Sequence, residues 1–215
     1  MRIILFDTET TGLPKTREPA NRGPDNWPHL VSIAWIVMEN DKIVDKQYYI
    51  IRPEWEIPAD STKIHGITNL KALLEGKPLA EVMTKFMSEP RDLLIAHNMN
   101  FDMNVIVSTL LWDMKIPYHG MGKTFCTMEA TRNILAIPFA NGRGYKSPKL
   151  SELYEYVTNV KPKSDALHNA LYDAELLAEI VKKSSLIQKM IGLKITPELT
   201  INGSYSKNES RILRI

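Results

Sequence analysis

Apolar and polar positions along the chain switch between a strand-like period and a helix-like one. Residues 2–6 form a β-rich apolar run that stops at Asp7, the pattern of a strand covered on both faces. Residues 30–39 and 42–51 read as two further strands. The pair Asn40-Asp41 between them suits a two-residue turn with positive φ, which predicts an antiparallel hairpin. Residues 93–96 form a short buried strand. Elsewhere the period lengthens. Pro78 opens a stretch to Ser88 in which Leu79, Val82, Met83 and Phe86 share a helix face. Further helices are expected over 101–114, 127–135 and 150–157, and from near His168 to Lys183. Hairpin-linked strands followed by strands alternating with helices predict an α/β fold, a mixed sheet flanked by helices.

Two segments fit neither period. Residues 14–29 carry Pro14, Pro19, Pro24 and Pro28 with Arg17 and Arg22, and residues 141–149 read Asn-Gly-Arg-Gly-Tyr-Lys-Ser-Pro-Lys. Loops of this length tend to serve function. Arg17, Arg22, Arg143, Lys146 and Lys149 are candidates for phosphate contacts, and Trp27 and Tyr145 for stacking on bases. Trp35 and Trp112, in an expected strand and helix, are assigned to the core. From Thr200 the chain is polar and turn-prone, and a frayed end is expected. The division expected is a folded domain over 1–185 and a partly flexible extension over 186–215.

Composition narrows the class without naming a function. The 215 residues are 44% hydrophobic and 24% charged, which excludes wholesale disorder. Lys and Arg number 27 against 25 Asp and Glu, a formal net charge of +2 that does not by itself announce a nucleic-acid binder. The single cysteine, Cys126, cannot form an intramolecular disulfide. No apolar run approaches the ~20 residues of a membrane span. The first apolar run is too short for a signal segment. These features predict a soluble, intracellular protein with no membrane contact.

The candidate chemistry lies in carboxylates. Asp7 and Glu9, two apart on one strand, point to the same face where an apolar strand emerges. Two charges this close repel, and a divalent cation with oxygen ligands compensates them. Asp102 follows the strand at 93–96 and opens a helix, where α/β sheets place ligand groups. His168 and Asp173 are five apart and would diverge by ~140° on one helix. If they serve one site, His168 sits on the loop before the helix. Singly, these residues read as a polar strand end, a helix cap and a surface histidine. Together they are the inventory of two-metal phosphodiester hydrolysis, with a neutral imidazole to take the proton of water.

The ordered set Asp7-Thr8-Glu9-Thr10-Thr11-Gly12, His97-Asn98-Met99-Asn100-Phe101-Asp102 and His168-x4-Asp173 resembles the DEDDh (DnaQ-like) 3′–5′ exonucleases. The branch it resembles includes the proofreading subunit of bacterial DNA polymerase III, and Ile64-His65-Gly66-Ile67-Thr68 is similar to a motif of that branch. The resemblance spans residues 2–182. It implies an RNase H-like five-stranded mixed sheet. It also implies two divalent ions, Mg²⁺ or Mn²⁺, held by Asp7, Glu9, Asp102 and Asp173, with His168 as general base. Thr10, Thr11, Gly12 and Leu13 would grip the terminal 3′-hydroxyl, Leu13 as a wedge, and His65, His97 and Asn98 would flank the substrate strand. The activity implied is removal of nucleoside 5′-monophosphates from single-stranded DNA 3′ ends in proofreading or repair, with a polymerase or another replication or repair protein as partner. Two alternatives stay open: an RNA-trimming exoribonuclease of the same superfamily, and a nucleic-acid-binding polymerase-accessory module. One departure is visible. Cys126 stands where many relatives carry Asp, which puts a structural hydrogen bond in doubt.

Overall fold

The structure, a computed structural model, describes residues 1–164 and 166–193. The end expected to fray from Thr200 lies outside the described residues. Five strands, β1 (Arg2–Thr10), β2 (Leu30–Glu39), β3 (Lys42–Ile50), β4 (Leu93–Ala96) and β5 (Thr124–Cys126), form one sheet in the order β3-β2-β1-β4-β5. β2 is antiparallel to both β1 and β3, whereas β4 runs parallel to β1 and β5 parallel to β4. This is the mixed sheet expected. At the β2–β3 turn Asn40 and Asp41 have φ of 56° and 118°, the positive values a two-residue hairpin asks for.

Strand alternation splits the core into two layers. Ile4, Phe6, Ile33, Trp35 and Leu94 face one side, and pack against α3 (Leu79–Ser88) through Val82, Met83 and Phe86 and α4 (Met99–Ser108) through Val105 and Ile106. Ile3, Leu5, Ala34, Ile36 and Ile95 face the other, under α6 (Leu150–Thr158) and α7 (Ala170–Lys183), which contribute Leu153, Ala174, Leu177, Ala178 and Val181. β1, central and buried on both faces, gains roughly 1.5–3 kcal/mol from each such large side chain. A short α8 (Ser185–Met190) follows α7 and buries Ile187 in that second layer.

Several elements differ from expectation. β1 continues past Phe6, because the polar residues Asp7 to Thr10 still pair with β2. The helix expected over 101–114 starts at Met99, stays α-helical to Ser108 and then widens into a π-helical turn, Thr109–Asp113. The helix expected from near His168 begins at Ala170, because the Asn169 side chain accepts from the N–H groups of Leu171 and Tyr172. Two seven-residue helices, α1 (Ala59–His65) and α2 (Asn69–Glu75), arise where no periodicity announced them. Gly66, at φ 72°, ends the first. Gly76 ends the second against the chain after β3, where a Cβ would lie 2.6 Å from Arg52 N. α5 (Thr127–Leu135) matches the helix expected there.

The two unusual loops are built rather than loose. Residues 14–29 contain a 3₁₀ turn at Ala20–Arg22. Trp27, expected to be available for stacking on bases, is instead buried: its Nε1 donates to Glu18 O and its ring packs on Phe101. In the second loop Pro138 and Tyr145 form a β-bridge, and Lys146, expected to be free for phosphate, pairs with Glu152 at 2.5 Å. Among the described residues no helix is long and apolar enough to cross a membrane.

Candidate active site

The site forms where β1 outruns its apolar body. Asp7 and Glu9 continue the alternation of Ile3 and Leu5 and so turn toward the α7 layer. Asp173, in the first turn of α7, meets them: one oxygen from each of Asp7, Glu9 and Asp173 lies within 4.8 Å of the other two. Thr8 points the opposite way, and its hydroxyl donates to Asp102 Oδ1 at 2.7 Å. That bond brings the start of α4 to the same strand end. Three elements therefore supply four carboxylates, and the residue between the two strand acids orients a third.

All four acids are destabilised as anions. Burial, then the charges of Asp102, Glu9 and Asp173, pushes Asp7 well above the carboxylate range. Burial and the charges of Asp173 and Asp102 push Glu9 up to about 9. Burial raises Asp102 to about 7 against the opposing Thr8 hydrogen bond, and Asp173 to about 6 against the nearby His168. Among the described residues no lysine or arginine forms an ion pair with any of them. Asp173 Oδ1 is buried without a hydrogen-bond partner. An all-oxygen, uncompensated, orphan-containing set fits hard divalent cations such as Mg²⁺ or Mn²⁺, and offers nothing to a soft metal.

His168 sits on the loop before α7. Its φ is 61°, a left-handed conformation that costs a non-glycine residue on the order of 1 kcal/mol or more. Its backbone N–H donates to Asp173 Oδ2 at 3.2 Å. The residue also lines a cleft of about 500 Å³ whose wall includes Lys63, Ile64, His65, Asn169 and Tyr172. His65 Nδ1 accepts from Ile67 N–H at 3.1 Å, which places the proton on Nε2, and Nε2 is buried without a partner. Burial holds the pKa of His65 below the usual imidazole value.

His97 behaves differently from a residue waiting for substrate. Its Nδ1 lies 3.0 Å from Thr127 Oγ1 and its Nε2 2.9 Å from Pro148 O, so both nitrogens are spent inside the protein. Burial also lowers its pKa. It ties the end of the 141–149 loop to β4. Asn98 follows it at φ 76° as the residue before α4. Thr10 Oγ1 donates to Gly12 O at 2.7 Å, and Leu13 is 81% exposed. Cys126 Sγ accepts from Glu129 N–H at 3.5 Å and caps α5.

Sequence reasoning missed Thr8, Asn169 and Tyr172. Thr8 was legible, since a residue between two inward acids must face the opposite layer. Asn169 carried the ordinary signature of a helix cap.

Residues 4–181 match the family model RNase_T, described as exonuclease. The chain is 31% identical over 187 residues to the DNA polymerase III subunit epsilon of Rickettsia prowazekii, covering 84% of this chain and 72% of that protein. It is 27% identical over 190 residues to the 3′–5′ exonuclease DinG of Bacillus subtilis, covering 85% of this chain and 18% of that protein. Among solved structures, exonuclease X in complex with 5′ overhanging duplex DNA superposes with a TM-score of 0.59 at 24% identity, over 90% of this chain and 93% of that one. That likeness shows a shared fold.

Proposed function

Because the chain belongs to the RNase_T exonuclease family and is a 3′–5′ exonuclease, we propose that it trims single-stranded DNA from the 3′ end, one nucleoside 5′-monophosphate at a time. The observation that carries this reading is the gathering of Asp7, Glu9 and Asp173 within 4.8 Å, with Asp102 held beside them by Thr8 and, among the described residues, no lysine or arginine paired with any of the four. Asp7, Glu9, Asp102 and Asp173 would hold a pair of divalent ions, Mg²⁺ or Mn²⁺. When bound, the ions supply positive charge to the attacking water and to the leaving 3′-oxygen.

The chain's own residues divide the remaining work. His168, on its left-handed loop beside Asp173, takes the proton of the attacking water. The water oxygen bonds to the terminal phosphorus, the bond from that phosphorus to the preceding 3′-oxygen breaks, and that oxygen takes up a proton from solvent. Thr10 to Gly12 hold the terminal hydroxyl through main chain, and the exposed Leu13 side chain stands ready to part the last bases. His65 and Asn98 flank the strand. His97 serves instead as a positioning group, since its nitrogens bind Thr127 and Pro148. A replication or repair role fits the epsilon-subunit likeness.

Digestion of matched 5′-labelled single-stranded DNA, mismatched duplex and RNA, with Mg²⁺, Mn²⁺ or excess EDTA, tests the proposal. A ladder of shortened DNA that EDTA abolishes and Mg²⁺ restores is expected. Full turnover in chelator would remove the metal reading, and faster digestion of RNA than DNA would replace the substrate.

A further inference from the structure

Three irregular features converge on Thr11. The pairing of β1 with β2 shifts register between Glu9 and Thr10, a bulge of the kind that re-aims a strand beside a functional site. The loop that follows leaves and returns at a single neck, where Thr11 N–H donates to His29 O and His29 N–H donates to Thr11 Oγ1, each at 3.0 Å. The third feature is the π-helical turn that closes α4, a rare form enriched at functional positions. It delivers Asp113 to His29.

His29 is held in two directions. Its Nδ1 lies 3.0 Å from Asp113 Oδ1 and 3.2 Å from Oδ2. A carboxylate only accepts, so Nδ1 carries the proton. The ring face stacks on Trp55, with centroids 4.2 Å apart and planes 15° from parallel. The loop behind the neck is pinned to the same helix: Ala20 N–H donates to Asn104 Oδ1, and Trp112 Nε1 donates to Ala20 O. None of His29, Trp55 and Asp113 belongs to the carboxylate cluster or to the wall of the cleft.

We propose that His29, braced by Asp113 and Trp55, is a positioning residue that fixes the main chain of Thr11 to Leu13 and thereby sets how strictly the enzyme selects a free 3′-hydroxyl terminus. The inference rests on the reading of Thr10 to Leu13 as the grip on that terminus. A grip made of main chain has no side-chain rotamer to adjust. Its selectivity depends on how firmly the backbone is held, and a displacement of about 1 Å is enough to cost on the order of 10²-fold. Among the described residues, the one bonded to both the N–H and the hydroxyl of Thr11 is His29. Its ring converts that local pairing into a link to α4 and to the chain after β3.

The test compares wild-type enzyme with His29→Ala, Asp113→Asn and His29→Gln on 5′-labelled oligonucleotides ending in a 3′-hydroxyl or a 3′-phosphate. For His29→Ala, KM on the hydroxyl end should rise about tenfold while kcat stays within about threefold, and the preference for hydroxyl over phosphate should fall about tenfold. Asp113→Asn, which changes charge and not size, should move both quantities the same way by less. His29→Gln, which can still donate to Asp113, should recover part of the preference. A folded His29→Ala protein with wild-type KM and wild-type preference would overturn the proposal, as would a loss confined to kcat. Wild-type enzyme that digests both ends equally would overturn the assignment of Thr10 to Leu13 itself, an outcome read before any variant is compared.

Discussion

The two halves of β1 obey opposite demands. Ile3 to Phe6 are fully buried between two helical layers and stabilise the fold by the area they withdraw from water. Asp7 and Glu9 continue the same strand and the same pairing with β2, yet every charge they carry is opposed by burial and by neighbouring acids. One half pulls the molecule together and the other strains it. On the proposed reading that strain is the binding energy on offer to cations, and the apolar half holds the acids in place without them.

Substitutions should separate the halves. The largest effect belongs to the acidic tip. Asp7→Asn should lower kcat by at least ~10³-fold, because the residue faces both Glu9 and Asp173, and should raise the Tm of metal-free protein by removing a repelled charge. An active Asp7→Asn enzyme would erase the distinction. Phe6→Ala, one residue earlier, should do the reverse. It should cost about 3–5 kcal/mol in denaturant unfolding while the folded fraction keeps its kcat.

His168→Ala should lose on the order of 10²-fold in kcat with metal affinity retained, measured by single turnover and by metal titration. Such a result would place the proton-taking group outside the strained strand end, on the loop before α7.

The pH dependence of metal-free stability sharpens the contrast further. Asp173 titrates near 6, Asp102 near 7 and Glu9 near 9 in the folded chain, all above the unfolded carboxylate values near 4. The folded state then holds protons that the unfolded state has lost. These groups cost nothing below about pH 4 and destabilise increasingly as pH rises toward 9. Tm without metal should therefore fall across that window, and Mg²⁺ should restore more of it at high pH than at low. A variant with all four acids neutralised should show neither effect. The smallest change lies far from the contrast: Cys126→Asp should add about 0.5–1 kcal/mol by capping α5 with an oxygen instead of sulfur, leaving kcat unchanged.

The apolar half was legible in the sequence and so was the direction of its acids, because period two is a local property. The strand spans 30–39 and 93–96 stand in the structure as the pattern placed them. α1 and α2 were hidden by their length, since seven residues hold two turns and no measurable period. The meeting of Asp102 and Asp173 with Asp7 was not local either. It depends on the parallel placement of β4 beside β1 and on the path of α7 across the sheet, and only the resemblance of three ordered motifs announced it. Trp27 misled for a physical reason. Prolines and arginines around it suggested solvent, but the loop closes on itself and turns the indole inward, onto Phe101.

The central place of β1 has a consequence for synthesis. During synthesis β1 can pair with β2, and β2 with β3, soon after these segments emerge, but the acidic tip of β1 must wait for residue 102 and then for residue 173. A nascent or prematurely terminated chain therefore carries a formed hairpin sheet and an incomplete set of carboxylates. If the four carboxylates act together as proposed, nuclease activity should become available only once the α7 segment has emerged and folded, and fragments of this chain are expected to be harmless to the nucleic acid around them.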